Sequence, residues 1–186
     1  MTSIIKVNEI QDGGGNTIIK SDGSGIASSN ILTPAFEAYL SAFQGIANNA
    51  YVKAQFNTEV FDTDSAYDNS TNYRFTVPTG KGGKYFITAQ LALSCNSGNN
   101  LQNTFIAIYV NGSAVNTHHK NDGVYNTSNL SKRDTRFIST ILDLSASDYV
   151  EVYGKLGDNN HNIAGTGIVG NSTNASSFFA GYRIGD

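Results

Sequence analysis

Three histidines, His118, His119 and His161, are the first residues in this chain whose chemistry could reach beyond packing. A catalytic zinc site commonly takes three protein ligands and keeps one position open. Adjacent residues on a strand point to opposite faces, so only one of His118 and His119 could join His161 or a symmetry copy. Loop or strand-end histidines are the simpler reading. Gly80-Lys81-Gly82-Gly83-Lys84 invites comparison with a phosphate-binding loop. Such a loop needs four residues between its first glycine and the Gly-Lys pair, then Ser or Thr for magnesium. Neither condition holds, because Tyr85 follows Lys84. The segment therefore reads as a hairpin loop. Gly157-Asp158-Asn159-Asn160-His161-Asn162 is rich in oxygen ligands of the kind calcium takes. Asp158 and Asn160 are the residues such an ion would use, but EF-hand spacing is missing and a plain turn is simpler. No Gly-x-Ser-x-Gly elbow occurs. The expectation is a protein without catalytic residues and without a required cofactor.

Composition points the same way. The chain has 186 residues, only 15% of them charged, and a net charge of −3. Its polarity comes from Asn, Ser, Thr and Gly. A nucleic-acid groove needs a basic stripe, and none is present. No stretch approaches the length of an apolar membrane span. The first ten residues carry one lysine and no apolar run of signal-peptide length. The single cysteine, Cys95, excludes an intrachain disulfide and follows the apolar run from Leu91, so it reads as a buried or half-buried hydrophobe. Asn-x-Ser/Thr sequons, as at Asn69 and Asn171, arise by chance in so Asn-rich a chain.

Any surface chemistry must be positioned by strands. Residues 1–33 stand apart from the rest. Ile4-Ile5-Lys6 and Ile18-Ile19-Lys20 echo each other across Asp12-Gly13-Gly14-Gly15-Asn16, which reads as a β-hairpin or two short extended segments. Its apolar residues, Ile4, Ile5, Val7, Ile10, Ile18 and Ile19, are too few for an independent core. The hairpin needs a partner. Ser21 to Asn30 reads as a flexible linker.

From Pro34 onward, short β-branched and aromatic runs alternate with Asn/Gly/Ser loops. Strands are expected at 35–40, 51–56, 74–77, 84–93, 104–111, 114–118, 136–144, 149–156 and 177–184. The alanines of 35–50 could suggest a helix, but strand then loop fits better. Many strands at short spacing argue an all-β sandwich or jelly roll. Tyr149-Val150-Glu151-Val152-Tyr153 alternates cleanly. The segments 84–93, 104–110 and 136–144 do not, being apolar on both faces. An excess apolar face has to be covered; loops would cover part of it and a subunit interface more.

Several segments, in order, resemble the C1q/TNF superfamily. Pro34-Ala35-Phe36-Glu37-Ala38-Tyr39-Leu40-Ser41 is similar to the first strand of C1q globular heads. Tyr67-Asp68, Tyr73-Arg74-Phe75-Thr76-Val77-Pro78 and Gly83-Lys84-Tyr85-Phe86-Ile87 resemble the central signature. Ile106 to Gly112 resembles the strand that ends in an Asn-Gly turn, and Leu142 to Val152 its strand, turn and strand. Ser177-Phe178-Phe179-Ala180-Gly181-Tyr182-Arg183-Ile184 resembles the terminal strand. The usual cysteine of the Phe-x-Cys-x-x-Pro region is absent, Thr79 to Gly82 lengthens one hairpin, and no collagen-like repeat precedes the segment. The resemblance implies a two-sheet jelly roll of about ten strands and a homotrimer. It places Phe86, Phe105, Tyr109, Phe137 and Phe179 as candidates for the trimer interface. Some relatives bind calcium near the trimer axis.

Ile5 to Asn16 is similar to amino-terminal arms of virion structural proteins from marine bacteriophages. That resemblance implies an arm, residues 1–33, attached to other virion proteins, and a head, residues 34–186. It makes the chain a head fibre, capsid decoration or tail-fibre head, located in the virion. The alternative is a secreted or cell-surface bacterial lectin or ligand of the same fold. Contact with a host-surface glycan or protein would fall to loop aromatics and amides: Tyr67, Asn69, Tyr73, Tyr125, Asn126 and Asn129. Three copies would supply avidity.

Overall fold

The computed structural model describes residues 7–21, 23–24, 27–29, 34–95, 101–115, 132–158 and 162–185. All regular structure within them is β. Glu9–Gln11 (β1), Thr17–Ser21 (β2) and Ala27–Ser29 (β3) form an antiparallel sheet of their own. Asp12 makes its first turn. The Asp12 carboxylate accepts from the Gly14 and Asn16 amides at 2.8 and 2.9 Å, while Gly15 takes φ 83°. The register sets Ile10 opposite Ile19. Val7, Ile10, Ile18 and Ile19 are all exposed. The linker expected at 21–30 needs correction, because Ala27–Ser29 pairs with β2. Ala-Ser-Ser carries no hydrophobic period to read, but a free strand edge offers unpaired N–H and C=O groups that a small-residue segment can meet.

Thirteen strands follow. They are Ala35–Tyr39 (β4), Gln44–Gly45 (β5), Val52–Lys53 (β6), Thr58–Asp62 (β7), Tyr67–Asp68 (β8) and Arg74–Thr76 (β9), then Gly83–Ser94 (β10), Leu101–Val110 (β11) and Ser113–Ala114 (β12). Arg133–Leu144 (β13), Tyr149–Asp158 (β14), Gly167–Ile168 (β15) and Phe178–Gly185 (β16) complete the set. Two sheets result. One has seven strands in the order β5-β15-β10-β16-β4-β7, with β13 on the other side of β10. The second has six, in the order β12-β11-β14-β9-β8, with β6 beside β14. The β10–β13 pairing is unbroken from Gly83 opposite Leu144 to Ser94 opposite Arg133. Asn111-Gly112 closes the β11–β12 turn with φ values of 51° and 77°, the left-handed geometry that this dipeptide tolerates.

The core lies between the two sheets, and alternation fills it. Phe36 stacks on Phe75 at 4.7 Å and on Tyr67 at 5.3 Å, and meets Phe179 edge-on at 4.8 Å. Tyr85, Ile87, Leu91, Ile106, Ile108, Val150 and Val152 extend this cluster along the long strands. Burying each such side chain is worth about 1.5–3 kcal/mol. Cys95 lies in the same core. A polar clasp joins the sheets at one edge. Thr104 of β11 hydrogen-bonds Asp134 of β13, and Arg136 donates to Thr104 at 2.7 Å while pairing with Asp134 at 2.5 Å.

Candidate functional site

With both inward faces spent on the core, recognition falls to the loops and the two outward faces. Strand alternation sets the outward residues of the seven-stranded sheet. On β13, Ile138, Thr140 and Leu142 point inward, leaving Phe137 and Ile141 outward at 52% and 56% exposure. Ile141 lies opposite Phe86 of β10, which lies opposite Tyr182 of β16. The Phe86 and Tyr182 rings sit 5.5 Å apart. Ser139, Thr88 and Ala180 make the next row, and Phe137, Gln90 and Phe178 the one after it. A cavity of about 390 Å³ opens on this face between Phe61, Phe86, Tyr182 and Glu37. Such a run of exposed apolar side chains is uncommon on a protein that stays alone.

The six-stranded sheet turns a different surface outward. Val150 and Val152 of β14 point inward, which sends Tyr149, Tyr153 and Lys155 outward. Lys155 lies opposite Phe105 of β11, and its ammonium sits 5.2 Å from the Phe105 ring and 5.4 Å from the Tyr51 ring. Tyr51 lies 6.3 Å from Phe105 and 6.5 Å from Tyr109, and Tyr109 lies 4.0 Å from Tyr153. Glu151, nearly buried, pairs with Lys53 at 2.8 Å. Arg74 lies 4.1 Å over the Tyr149 ring. Burial raises the Tyr51 and Tyr153 hydroxyl pKa values, helped by Tyr109 at the first and by Glu151 at the second, so both phenols remain donors at neutral pH.

The five residues expected at one trimer interface therefore do not share a surface. Phe86 and Phe137 lie outward on the seven-stranded sheet. Phe105 and Tyr109 lie outward on the other sheet, because β11 belongs to it. Phe179 faces inward at 0% exposure against Phe36, Phe56 and Tyr67, so it cannot line a seam. Sequence reading took the wrong one of two adjacent phenylalanines: its neighbour Phe178 is the outward one. Ile141 and Tyr182 were missed, though the outward Phe137 already marked that face of β13.

The loop residues need similar correction. Tyr67 is core, not loop tip. It is 6% exposed, its hydroxyl donates to the Phe56 carbonyl at 3.0 Å, and burial drives its pKa far up. Asn69 and Tyr73 are half-buried in the β8–β9 connection, where Tyr73 takes φ 50°. Tyr125, Asn126 and Asn129 lie outside the described residues, as do Ile4, Ile5, Asn160 and all three histidines. Asp158 is not in a turn but at the end of β14, buried, with its carboxylate accepting from Thr166 at 2.9 Å. Among the described residues no group of three His, Cys, Asp or Glu side chains could hold a metal. The Gly80–Lys84 segment is not the hairpin loop expected: β9 and β10 belong to different sheets, so it is a crossover between them that runs into β10 at Gly83, where Lys81 closes a turn on Pro78 and the Gly82 carbonyl is taken by Arg183 at 2.9 and 3.0 Å.

No protein-family model matches this sequence, and no curated protein matches it. Among solved structures, the globular domain of zebrafish complement 1qA protein is similar, with a TM-score of 0.51 and 17% identity. The match covers 81% of this chain and 96% of that one. At this identity the likeness is one of fold, and the fold of this chain is the C1q-like jelly roll.

Proposed function

We propose that this chain is a non-catalytic structural and binding head of a bacteriophage particle, trimeric through the outward face of its seven-stranded sheet and attached through residues 1–33. One observation carries the trimer. Half-buried Phe86 and exposed Phe137, Ile141 and Tyr182 share one face of three adjoining strands, broken only by the Thr88–Ser139 row, where a lone sandwich would present mostly polar side chains. Support for attachment comes from the amino-terminal sheet, whose exposed isoleucines have too little apolar surface to stand alone in water. The resemblance of Ile5 to Asn16 to phage arms supports the particle.

Light scattering tests the first part. A mass of three times 19.9 kDa is expected at micromolar concentration, and a strictly monomeric mass defeats the reading. Mass spectrometry of purified particles tests the second. Deleting residues 1–33 should leave the trimer and abolish incorporation. Recovery at a cell surface, with none in particles, would favour the secreted lectin instead.

A further inference from the structure

The outward face of the six-stranded sheet has features that trimerisation does not use. Four rings, Tyr51, Phe105, Tyr109 and Tyr153, lie within 6.5 Å of one another in successive pairs. Their interplanar angles run from 31° to 59°, and Tyr109 packs closely on Tyr153. The connection before β6 brings Tyr51 there, because Val52 and Lys53 pair along β14 and set Tyr51 beside Lys155. Tyr51 is the most open of the four, at 39% exposure.

Charge decides what such a platform can accept. Lys155 is held between two rings, and among the described residues no carboxylate pairs with it. Arg74 rests on the Tyr149 ring and has Asp68 directly across from it on β8. Of the acids on this face, Glu151 pairs with Lys53, and Asp68 accepts from the backbone amides of its own loop. Lys155 is thus a cation with no carboxylate partner among the described residues, on a chain whose net charge is −3. A cation over aromatic rings in partial burial keeps its appetite for an anion, because the rings supply only part of its lost hydration. At the rim, the Asn103 side chain lies over Gly157 beside Asn49, and its Oδ1 has no hydrogen-bond partner among the described residues.

Flat rings offer docking faces for the C–H side of a pyranose. Phenol hydroxyls and amides meet its equatorial hydroxyls. An unpaired ammonium meets a carboxylate. We infer that this face binds an acidic polysaccharide of uronate type, with Tyr51, Phe105 and Tyr109 stacking on sugar rings and Lys155 pairing with a sugar carboxylate. The inference rests on the reading of the chain as a binding head and names what that head binds, but it does not require the trimer, since the seven-stranded face is a separate surface.

Titration of the full chain with an oligouronate tests it, read by calorimetry and by tyrosine fluorescence, which no tryptophan masks. Saturable binding is expected, weakened at least about tenfold by Lys155→Gln and by Tyr51→Ala. Lys155→Arg should retain it. A neutral maltooligosaccharide should bind at least about tenfold more weakly. Ile141→Asp, on the opposite side, should leave the affinity within about twofold even if it yields monomers. If Tyr51→Ala melts early, Lys155→Gln alone carries the test. Equal binding of polyglutamate would mean that charge alone is read and would overturn the saccharide. Binding unchanged by Lys155→Gln, or no saturable binding at all, would overturn the site.

Discussion

The two outward faces of the sandwich are built by one rule and reach opposite results. Each takes every second residue of its long strands. On the seven-stranded sheet that puts Phe86, Phe137, Ile141 and Tyr182 outward, with the uncharged Thr88, Gln90 and Ser139 among them. On the six-stranded sheet it selects rings interleaved with Lys53, Lys155 and Arg74. Aliphatic and phenyl groups gain from any contact that excludes water, and protein surface of the same kind provides it. Rings capped by cations are partly satisfied in water and gain most from a partner that brings anions and hydroxyls. On the proposed reading, face chemistry would separate assembly from recognition within a single domain.

The strongest test of that separation sets Ile141 against Phe179. Ile141→Asp puts a charge at an exposed position, so folding should survive while the trimer is lost. Phe179→Ala empties a core position that three other aromatic rings touch. It should cost about 3–5 kcal/mol of stability. Thermal melting and light scattering on both variants distinguish the outcomes. A stable Phe179→Ala variant with altered mass, or an unfolded Ile141→Asp variant, would reverse the assignment of the two sides.

A smaller effect belongs to the recognition face. Lys53→Met removes the partner of the nearly buried Glu151 and leaves a weak contact from the Tyr153 hydroxyl at 3.4 Å. Loss of about 1–3 kcal/mol is expected, with trimer mass unchanged. The double variant Lys53→Met with Glu151→Gln should recover part of it, because no charge is then stranded. If the double variant is no better than the single one, lost packing by the lysine stem is the cause.

How much of this was legible beforehand depends on which scale a residue answers to. The sandwich was legible because strand alternation is local: Tyr149 to Tyr153 reads as one buried and one free side with no knowledge of neighbours. Facing was harder where apolar residues are adjacent. Phe178-Phe179 gives no sign of which ring turns inward until β16 is set against β10 and β4. Tyr67 looked like loop chemistry because Asp68, Asn69 and Ser70 follow it, yet its ring closes the stack on Phe36. The assignment of Phe105 and Tyr109 failed at the level of sheet membership, which long-range pairing sets. Tyr51 and Lys155 lie far apart in sequence, and only the β6–β14 pairing makes them neighbours.

The mildest perturbation, acid, should tell the faces apart without a substitution. The Asp68 carboxylate accepts from the amides of Ser70, Thr71 and Asn72 at 2.8–3.1 Å and from the Asn72 side chain at 2.7 Å. Those bonds, that of Thr71 first, hold its pKa well below the usual aspartate range. A depressed carboxyl contributes stability that is present above the unfolded value near 4 and lost as pH falls toward the folded one. What it holds is the β8–β9 connection, and the Asn72 carbonyl in that connection accepts from Lys53 at 3.0 Å. Acidification below about pH 4 should therefore loosen 68–73 first and then the Lys53 corner of the six-stranded face. Around Phe86 and Ile141 the β10–β13 ladder rests on continuous backbone pairing and apolar side chains, so it should hold longer. Hydrogen exchange of the Ser70, Thr71 and Asn72 amides, followed from neutral pH downward, reads this directly. Protection at these amides that falls before that of Phe86 and Ile141 is the expected order, and Asp68→Asn should remove the pH dependence at the loop while leaving the ladder as it was.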